Sequence, residues 1–182
     1  MNKYLIIFVF FIFSSCCKES IEVNRYNLSD EEKMFIPYLN NQTIPFYHSN
    51  SFDFNVKVTN LDTEFLRTKT EHCGENYVSY EIKTAQLQSE IPELNISISI
   101  TSKVFNPIIS ININNSFLQK DITDGPDFDT LSIDNMNYLD VYQIENNISD
   151  TTIIYPEKVF YNRTYGIIQI IMTNHDKFTI RK

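Results

Sequence analysis

Catalysis by side chains requires an acid, a base or a nucleophile beside a partner, and this chain offers few such groups. Its three histidines, His48, His72 and His175, fall in predicted loops or at strand ends. His72 precedes Cys73, a pair with metal-binding atoms, but neighbours on a strand point to opposite faces. The sequence contains no G-x-S-x-G, H-E-x-x-H or phosphate-binding glycine loop. We therefore expect a protein that is not an enzyme, with no catalytic, metal or cofactor site.

The densest polar cluster is the segment 121–129, which carries four aspartates around Gly125 and Pro126. Carboxylates near a turn suit Ca²⁺, which takes about six to eight oxygen ligands. The spacing departs from the EF-hand pattern, because Gly125 falls on a ligand position. A solvated acidic loop is the preferred interpretation, and a cation site is the alternative.

The first twenty residues have the organisation of a secretory signal. Met1–Asn2–Lys3 is followed by the apolar run Tyr4–Phe13 and then by Ser14, Ser15 and Cys16. A positive start, a short apolar stretch and small residues before a cleavage point are typical of signal peptides. The apolar run is too short to span a membrane, which takes ~20 residues.

The run Phe13–Ser14–Ser15–Cys16 resembles the lipobox of bacterial lipoproteins. The resemblance implies that residues 1–15 are removed and that Cys16 is lipid-modified, although Phe13 stands where Leu is usual. Cys17 is a rival acceptor, and an ordinary signal peptide followed by disulfide-forming cysteines is a further alternative. Two or more acyl chains hold a protein stably on a bilayer.

The resemblance also implies a location. Because no Asp follows Cys16, the outer membrane is favoured, and Lys18–Glu19 is similar to part of a surface-export tag of Bacteroidetes lipoproteins. The closing segment 159–168 resembles the tail of small β-rich flavobacterial lipoproteins that mostly lack an assigned activity. We expect a lipid-anchored protein of the outer membrane that faces either the periplasm or the cell surface.

Charge and cysteine content limit the classes of partner that the chain is expected to bind. The net charge is −8 and the pI is near 4.8, which disfavours nucleic acid, since binding there depends on neutralising phosphates. The membrane is therefore engaged through the lipid anchor, and a protein or glycan partner is left open. If Cys16 is acylated, Cys17 and Cys73 either pair or remain free thiols.

The remaining chain predicts one short helix followed by strands. Ser29 and Glu32 form a capping-box pattern, and Pro37 should end that helix after about two turns. From residue 43 onwards apolar and polar residues alternate, as in antiparallel strands with one buried face. The clearest segments are 43–48, 52–59, 78–82, 94–100, 109–113, 130–134, 138–144, 159–162, 165–173 and 178–181.

These elements predict a mainly β fold, a single antiparallel β-meander that forms a sandwich or a barrel. The domain limits follow as 1–15 for the signal peptide, 16–28 for the lipidated cysteine and tether, and 29–182 for the β-rich domain. Gly166 within an apolar strand indicates a bulge or a close backbone approach.

Two functions are compatible with this outline. The first is a non-enzymatic binding or structural module, with Tyr138 and Tyr142 expected as exposed aromatics on one strand face. The alternative is a lipocalin-like carrier that encloses a hydrophobic ligand. An apolar cavity favours the carrier, whereas a packed interior favours the binding module.

Overall fold

The structure is a computed structural model that describes residues 20–70, 76–103, 106–146 and 153–182. The predicted mainly β class is confirmed. In these ranges the elements are β1 (Glu22–Tyr26), α1 (Asp30–Lys33), β2 (Thr43–His48), β3 (Phe52–Lys69), β4 (Tyr77–Ser89), β5 (Leu94–Thr101), β6 (Ile108–Ile113), β7 (Ser116–Asp121), β8 (Phe128–Ile133), β9 (Met136–Glu145), β10 (Pro156–Asn162), β11 (Gly166–Met172) and β12 (Lys177–Ile180).

Two antiparallel meanders build the sheet. One runs from β2 to β7 and the other from β8 to β12, and the β2–β12 pairing joins them into the order β7-β6-β5-β4-β3-β2-β12-β11-β10-β9-β8. Strand β1 is the exception, because it pairs with β4 in parallel. The sheet is not closed by pairing of β7 with β8, so the fold is sandwich-like and the barrel alternative is wrong.

The core is built from the apolar face of each alternating strand. On β5 and β6, Ile96, Ile98 and Ile100 lie opposite Ile113, Ile111 and Ile109, and all six side chains are buried. Cross-strand pairs of β-branched residues fit the pleated surface and exclude water from it. The polar residues between them therefore lie on the outer face of the sheet.

The β3–β4 hairpin is longer than the core it covers. β3 has 18 residues, and its side chains from Asp62 to Lys69 are all exposed. A bulge between Val58 and Asn60 shifts the register, so that Leu66 lies opposite Tyr80 on the outer face. The far half of β3 is held by its backbone pairing with β4, and β1 pairs with the opposite edge of β4.

The N-terminal segment differs from the sequence expectation in two ways. The helix α1 is a single turn, shorter than the two turns expected, although Ser29 and Glu32 do form the capping box. The α-helix ends at Lys33, before Pro37, and the chain continues through i→i−3 turns in which the amides of Phe35 and Ile36 donate to Glu32 and Lys33. Residues 22–26, expected to be tether, form β1, and Leu28 is buried in the core.

After α1 the segment Phe35–Tyr38 ties the two meanders together. Lys83 on β4 donates to the carbonyl oxygens of Lys33 and Ile36 at 3.0 and 3.2 Å. On the other side, the Tyr161 hydroxyl of β10 donates to the carbonyl of Phe35. These bonds give partners to the carbonyls of the buried residues Phe35 and Ile36.

Candidate functional site

The described histidines occupy structural positions. His48 is buried at the end of β2, where its Nδ1 accepts from the Asn50 amide at 2.9 Å and its ring stacks on Phe52. Its Nε2 lies 3.8 Å from an Asp176 carboxylate oxygen, too far for a hydrogen bond. His175 lies in the β11–β12 turn with a positive φ of 69°. His72, Cys73, Cys16 and Cys17 lie outside the described residues.

The acidic segment 121–129 does not gather its carboxylates. Asp121 accepts from the amide and hydroxyl of Thr123 at 2.9 and 2.6 Å, and these bonds lower the pKa of its carboxyl. Asp127 instead pairs with Lys120 at 2.8 Å. Within the described ranges, no group of three or more His, Cys, Asp or Glu side chains is placed to hold a metal ion. The solvated-loop interpretation fits this geometry better than the cation site.

The expectation that Tyr138 and Tyr142 are exposed is wrong. Tyr138 is 1% exposed and Tyr142 is 3% exposed. The simple alternation fails because Asp140, between them, has a positive φ of 51°, which leaves Val141 and Tyr142 as consecutive buried residues. Burial is the main cause of a raised pKa at Tyr138. Neither ring is available as a binding surface.

The buried titratable groups are engaged in holding the N-terminal segment. Burial raises the pKa values of Tyr38 and Tyr161, and the Tyr38 hydroxyl accepts from the Ile167 amide at 2.8 Å. Glu81 on β4 lies 2.7 Å from the Lys33 ammonium and accepts from the Leu28 amide at 2.9 Å. These contacts account for how the N-terminal segment packs against the sheet.

The outer face of β4, β5 and β6 has an unusual composition. Pairs of outward residues follow one another across these strands, Thr84 with Ser99 and Gln86 with Ser97, and each residue from Thr84 to Gln88 on this face pairs with another uncharged amide or hydroxyl. The next outward pairs, Ile82 with Thr101 and Thr101 with Ile108, bring in apolar side chains. We call this surface the amide face; its members are Thr84, Gln86, Gln88, Asn95, Ser97, Ser99, Ser110 and Asn112. Solubility alone would be served equally well by lysine and glutamate.

Two adjoining depressions lie over the amide face. One, of about 460 Å³, is lined by Gln86, Ser97 and Asn112. The other, of about 820 Å³, extends across Gln88 towards β3, and Asn95 lines both. Charged side chains also line the depressions: Glu93 lines both, and Asp53, Lys57 and Glu90 line the larger one.

Part of the amide face is free to bind. Gln86 donates to the Ser97 hydroxyl at 2.9 Å, which fixes both groups in the floor of the surface. In the portion of the chain that the structure describes, the side-chain amides of Gln88 and Asn95 have no hydrogen-bond partner. Each free amide offers two donors and an acceptor to a ligand.

An exposed aromatic ring borders this surface. Phe117 on β7 lies opposite Asn112 and is 54% exposed. Neither the exposed ring of Phe117 nor the amide face was predicted from the sequence. β7 has a single buried residue, Leu118, so its alternation is too weak to predict a strand. The polar residues of β5 and β6 were predicted to face solvent, because they alternate with apolar ones. Nothing in the local sequence showed that three strands would align them in one surface.

The interior is filled by side chains. Ile98, Ile100, Ile109 and Ile111 are 0% exposed and pack in the core cluster. The depressions described above are open at the surface and do not lie inside the fold. Among the described residues, no helix has the length and apolar character needed to cross a bilayer.

Comparison of the chain with protein-family models, with curated proteins and with solved structures gives no match. The site is therefore interpreted from its own chemistry.

Proposed function

We propose that the chain is a lipid-anchored, non-enzymatic binding module of the bacterial outer membrane, and that the amide face binds a neutral glycan. The signal-like start and the lipobox resemblance at Cys16 support the anchor. The composition of the amide face supports the ligand class. The membrane face on which the module is displayed is either the periplasm or the cell surface.

The amide face carries this proposal because amides and hydroxyls match the hydroxyl groups of a sugar. Each group donates and accepts, so it pairs with a ligand hydroxyl in either orientation. Uncharged groups also lose less hydration on binding than ammonium or carboxylate groups do. The exposed ring of Phe117 beside Asn112 supplies a flat apolar surface for the C–H face of a pyranose.

The carrier alternative has less support. A lipocalin-like carrier needs an apolar cavity of several hundred Å³ inside the fold. In the described residues, the corresponding space between the strands is occupied by the isoleucine ladder of β5 and β6.

A glycan array with neutral and acidic oligosaccharides tests the ligand class, followed by calorimetric titration of any neutral glycan that binds. Gln88→Ala and Asn95→Ala, which remove the two amides without a partner in the described structure, should each weaken binding about 2- to 10-fold, the range for one lost neutral hydrogen bond. Gln143→Ala is the matched control, because this amide lies on β9 and bonds Glu145 instead. Retained affinity in both amide-face variants, or binding of acidic glycans alone, would exclude this function for the surface.

A further inference from the structure

One row of outward side chains crosses five strands of the sheet, and we call it the cross-strand row. The register places Gln86 of β4 opposite Asn60 of β3 on one side and Ser97 of β5 on the other. The row continues through Asn112 of β6 to Phe117 of β7. Neighbouring strands lie about 4.8 Å apart, so the row is about 19 Å long from β3 to β7.

The two depressions over the amide face follow the same direction. The smaller is lined by Gln86 and Asn112 of the row, and the larger reaches Thr59 on β3. Asn95 and Glu93 line both depressions, which therefore adjoin. Together they form a trough that crosses β3, β4, β5 and β6.

The trough leads towards an edge of the sheet. β7 is the last strand on this side, and its outward ring, Phe117, is 54% exposed. A ligand that follows the cross-strand row beyond Asn112 passes over this ring and then off the edge of the sheet. The site therefore suits the interior of a long chain better than a chain end.

The spacing of the row matches the repeat of an extended sugar chain. In a β-linked pyranose chain, each sugar advances the chain by about the distance between neighbouring strands. Successive sugars would therefore lie over successive strands, about four of them between β3 and β7. A chain with α-linkages curls and would lose this match after one or two sugars.

The charges along the trough favour a neutral chain. Among the described residues that line it, Asp53, Glu90 and Glu93 are carboxylates, and Lys57 is the single cation. A polymer with a carboxylate on each sugar would be repelled by this lining. The hydroxyls of a neutral sugar can instead donate to the carboxylates and accept from the ammonium group.

The middle of the trough combines a fixed floor with free amides. Gln86 and Ser97 are held together by their hydrogen bond of 2.9 Å. Gln88 and Asn95 lie opposite each other on β4 and β5, and in the described ranges their side-chain amides have no partner. These two amides are placed to bond the sugars that lie over β4 and β5.

We infer that the amide face holds an internal stretch of an extended, neutral, β-linked glycan that runs across the strands. About four sugars lie between β3 and β7. Gln88 and Asn95 bond the sugars in the middle of this stretch, and the ring of Phe117 stacks on the last one. This inference rests on the proposed function, to which it adds the shape and length of the ligand.

Calorimetric titration with two series of oligosaccharides tests the inference. One series contains β-linked cello- and manno-oligosaccharides, and the other contains α-linked malto-oligosaccharides of the same lengths. The affinity for the β-linked series should rise with each sugar up to about four and then stay constant. The α-linked series should bind more weakly at every length beyond the disaccharide. Reduction of the terminal sugar of the longest β-linked ligand to its alditol should leave its affinity unchanged.

Phe117→Ala tests the end of the path at β7. It should weaken binding of the longest β-linked ligand about 2- to 10-fold, the range for one aromatic contact, and the rise in affinity should stop about one sugar earlier. Phe65→Ala is the matched control, because Phe65 is 40% exposed on β3 but does not line the trough. This control should bind both series like the wild type.

The outcomes separate the inference from the proposed function. An affinity that is constant from the disaccharide upwards, or equal for the α-linked and β-linked series, overturns the extended path and leaves neutral-glycan binding in place. Binding of neither series, with another neutral glycan bound on the array, has the same meaning. Absence of binding to any neutral glycan overturns the proposed ligand class and this inference with it.

Discussion

At Gly166 the backbone passes so close to the phenol ring of Tyr38 that no side chain fits between them. A Cβ at this position would lie 2.0 Å from the Tyr38 hydroxyl oxygen and 2.3 Å from its Cζ. The backbone also has a positive φ of 71°. This confirms the predicted close approach, one of the two alternatives at Gly166; the register shift in the β10–β11 pairing falls at Ile168 instead. The contact lets the Tyr38 hydroxyl reach the amide of Ile167.

Gly166→Ala should therefore lower the free energy of unfolding by about 3 kcal/mol or more, through steric overlap and backbone strain together. Gly125→Ala is the matched control, because Gly125 also has a positive φ, 80°, but has open space around its Cα. Strain alone should cost the control about 1 kcal/mol. Urea unfolding monitored by circular dichroism measures both values, and equal losses would show that the Tyr38 contact is not restrictive.

At the scale of elements, strands with strict alternation were predictable and the others were not. Segments 43–48, 94–100 and 109–113 were placed within a residue or two, because each strand buries one complete face. β1 has no buried side chain, and for that reason the sequence predicts a tether there instead of a strand. The far half of β3 could not be predicted for the same reason. Its side chains are exposed, and its backbone pairing with β4 holds it in place.

The ion pair between Lys33 and the buried Glu81 is one of the contacts that attach α1 to β4. Burial would raise the pKa of the Glu81 carboxyl, but hydrogen bonds from Lys33 and the Leu28 amide outweigh it and lower the pKa below the ordinary 4.5. A carboxyl whose pKa is lowered on folding contributes stability above its unfolded pKa. That contribution is lost as the pH falls through the folded value.

Glu81→Gln should thus destabilise the protein by about 2 kcal/mol at pH 7, the range for hydrogen bonds to charged groups. The difference from wild type should shrink as the pH falls below about 4.5. Glu31→Gln is a suitable control, because Glu31 is exposed on α1 and makes no side-chain bond among the described residues. Denaturant unfolding at pH 7 and pH 3.5 measures this, and a difference that does not change with pH would contradict the assignment.

At the scale of the whole molecule, the long β3–β4 hairpin connects two parts of the fold. The far half of the hairpin, residues 62–69 and 77–81, pairs with β1, and the amide face lies on the strands that continue from it. The mainly β class followed from alternation, but the order of strands did not. It depends on the β2–β12 pairing, which joins residues 130 or more positions apart and leaves no local signal. The amide face likewise depends on the alignment of β4, β5 and β6, which no single segment of the sequence shows.

The lipid anchor underlies the proposed function, and phase separation in Triton X-114 combined with intact mass spectrometry tests it most directly. The wild-type protein, expressed in a bacterial host, should enter the detergent phase with a mass that begins at Cys16 and includes acyl chains. Cys16→Ser should keep its signal segment and lose the acyl mass, whereas Cys17→Ser should behave like wild type. A Cys16→Ser protein that still enters the detergent phase with unchanged processing and mass would contradict the account.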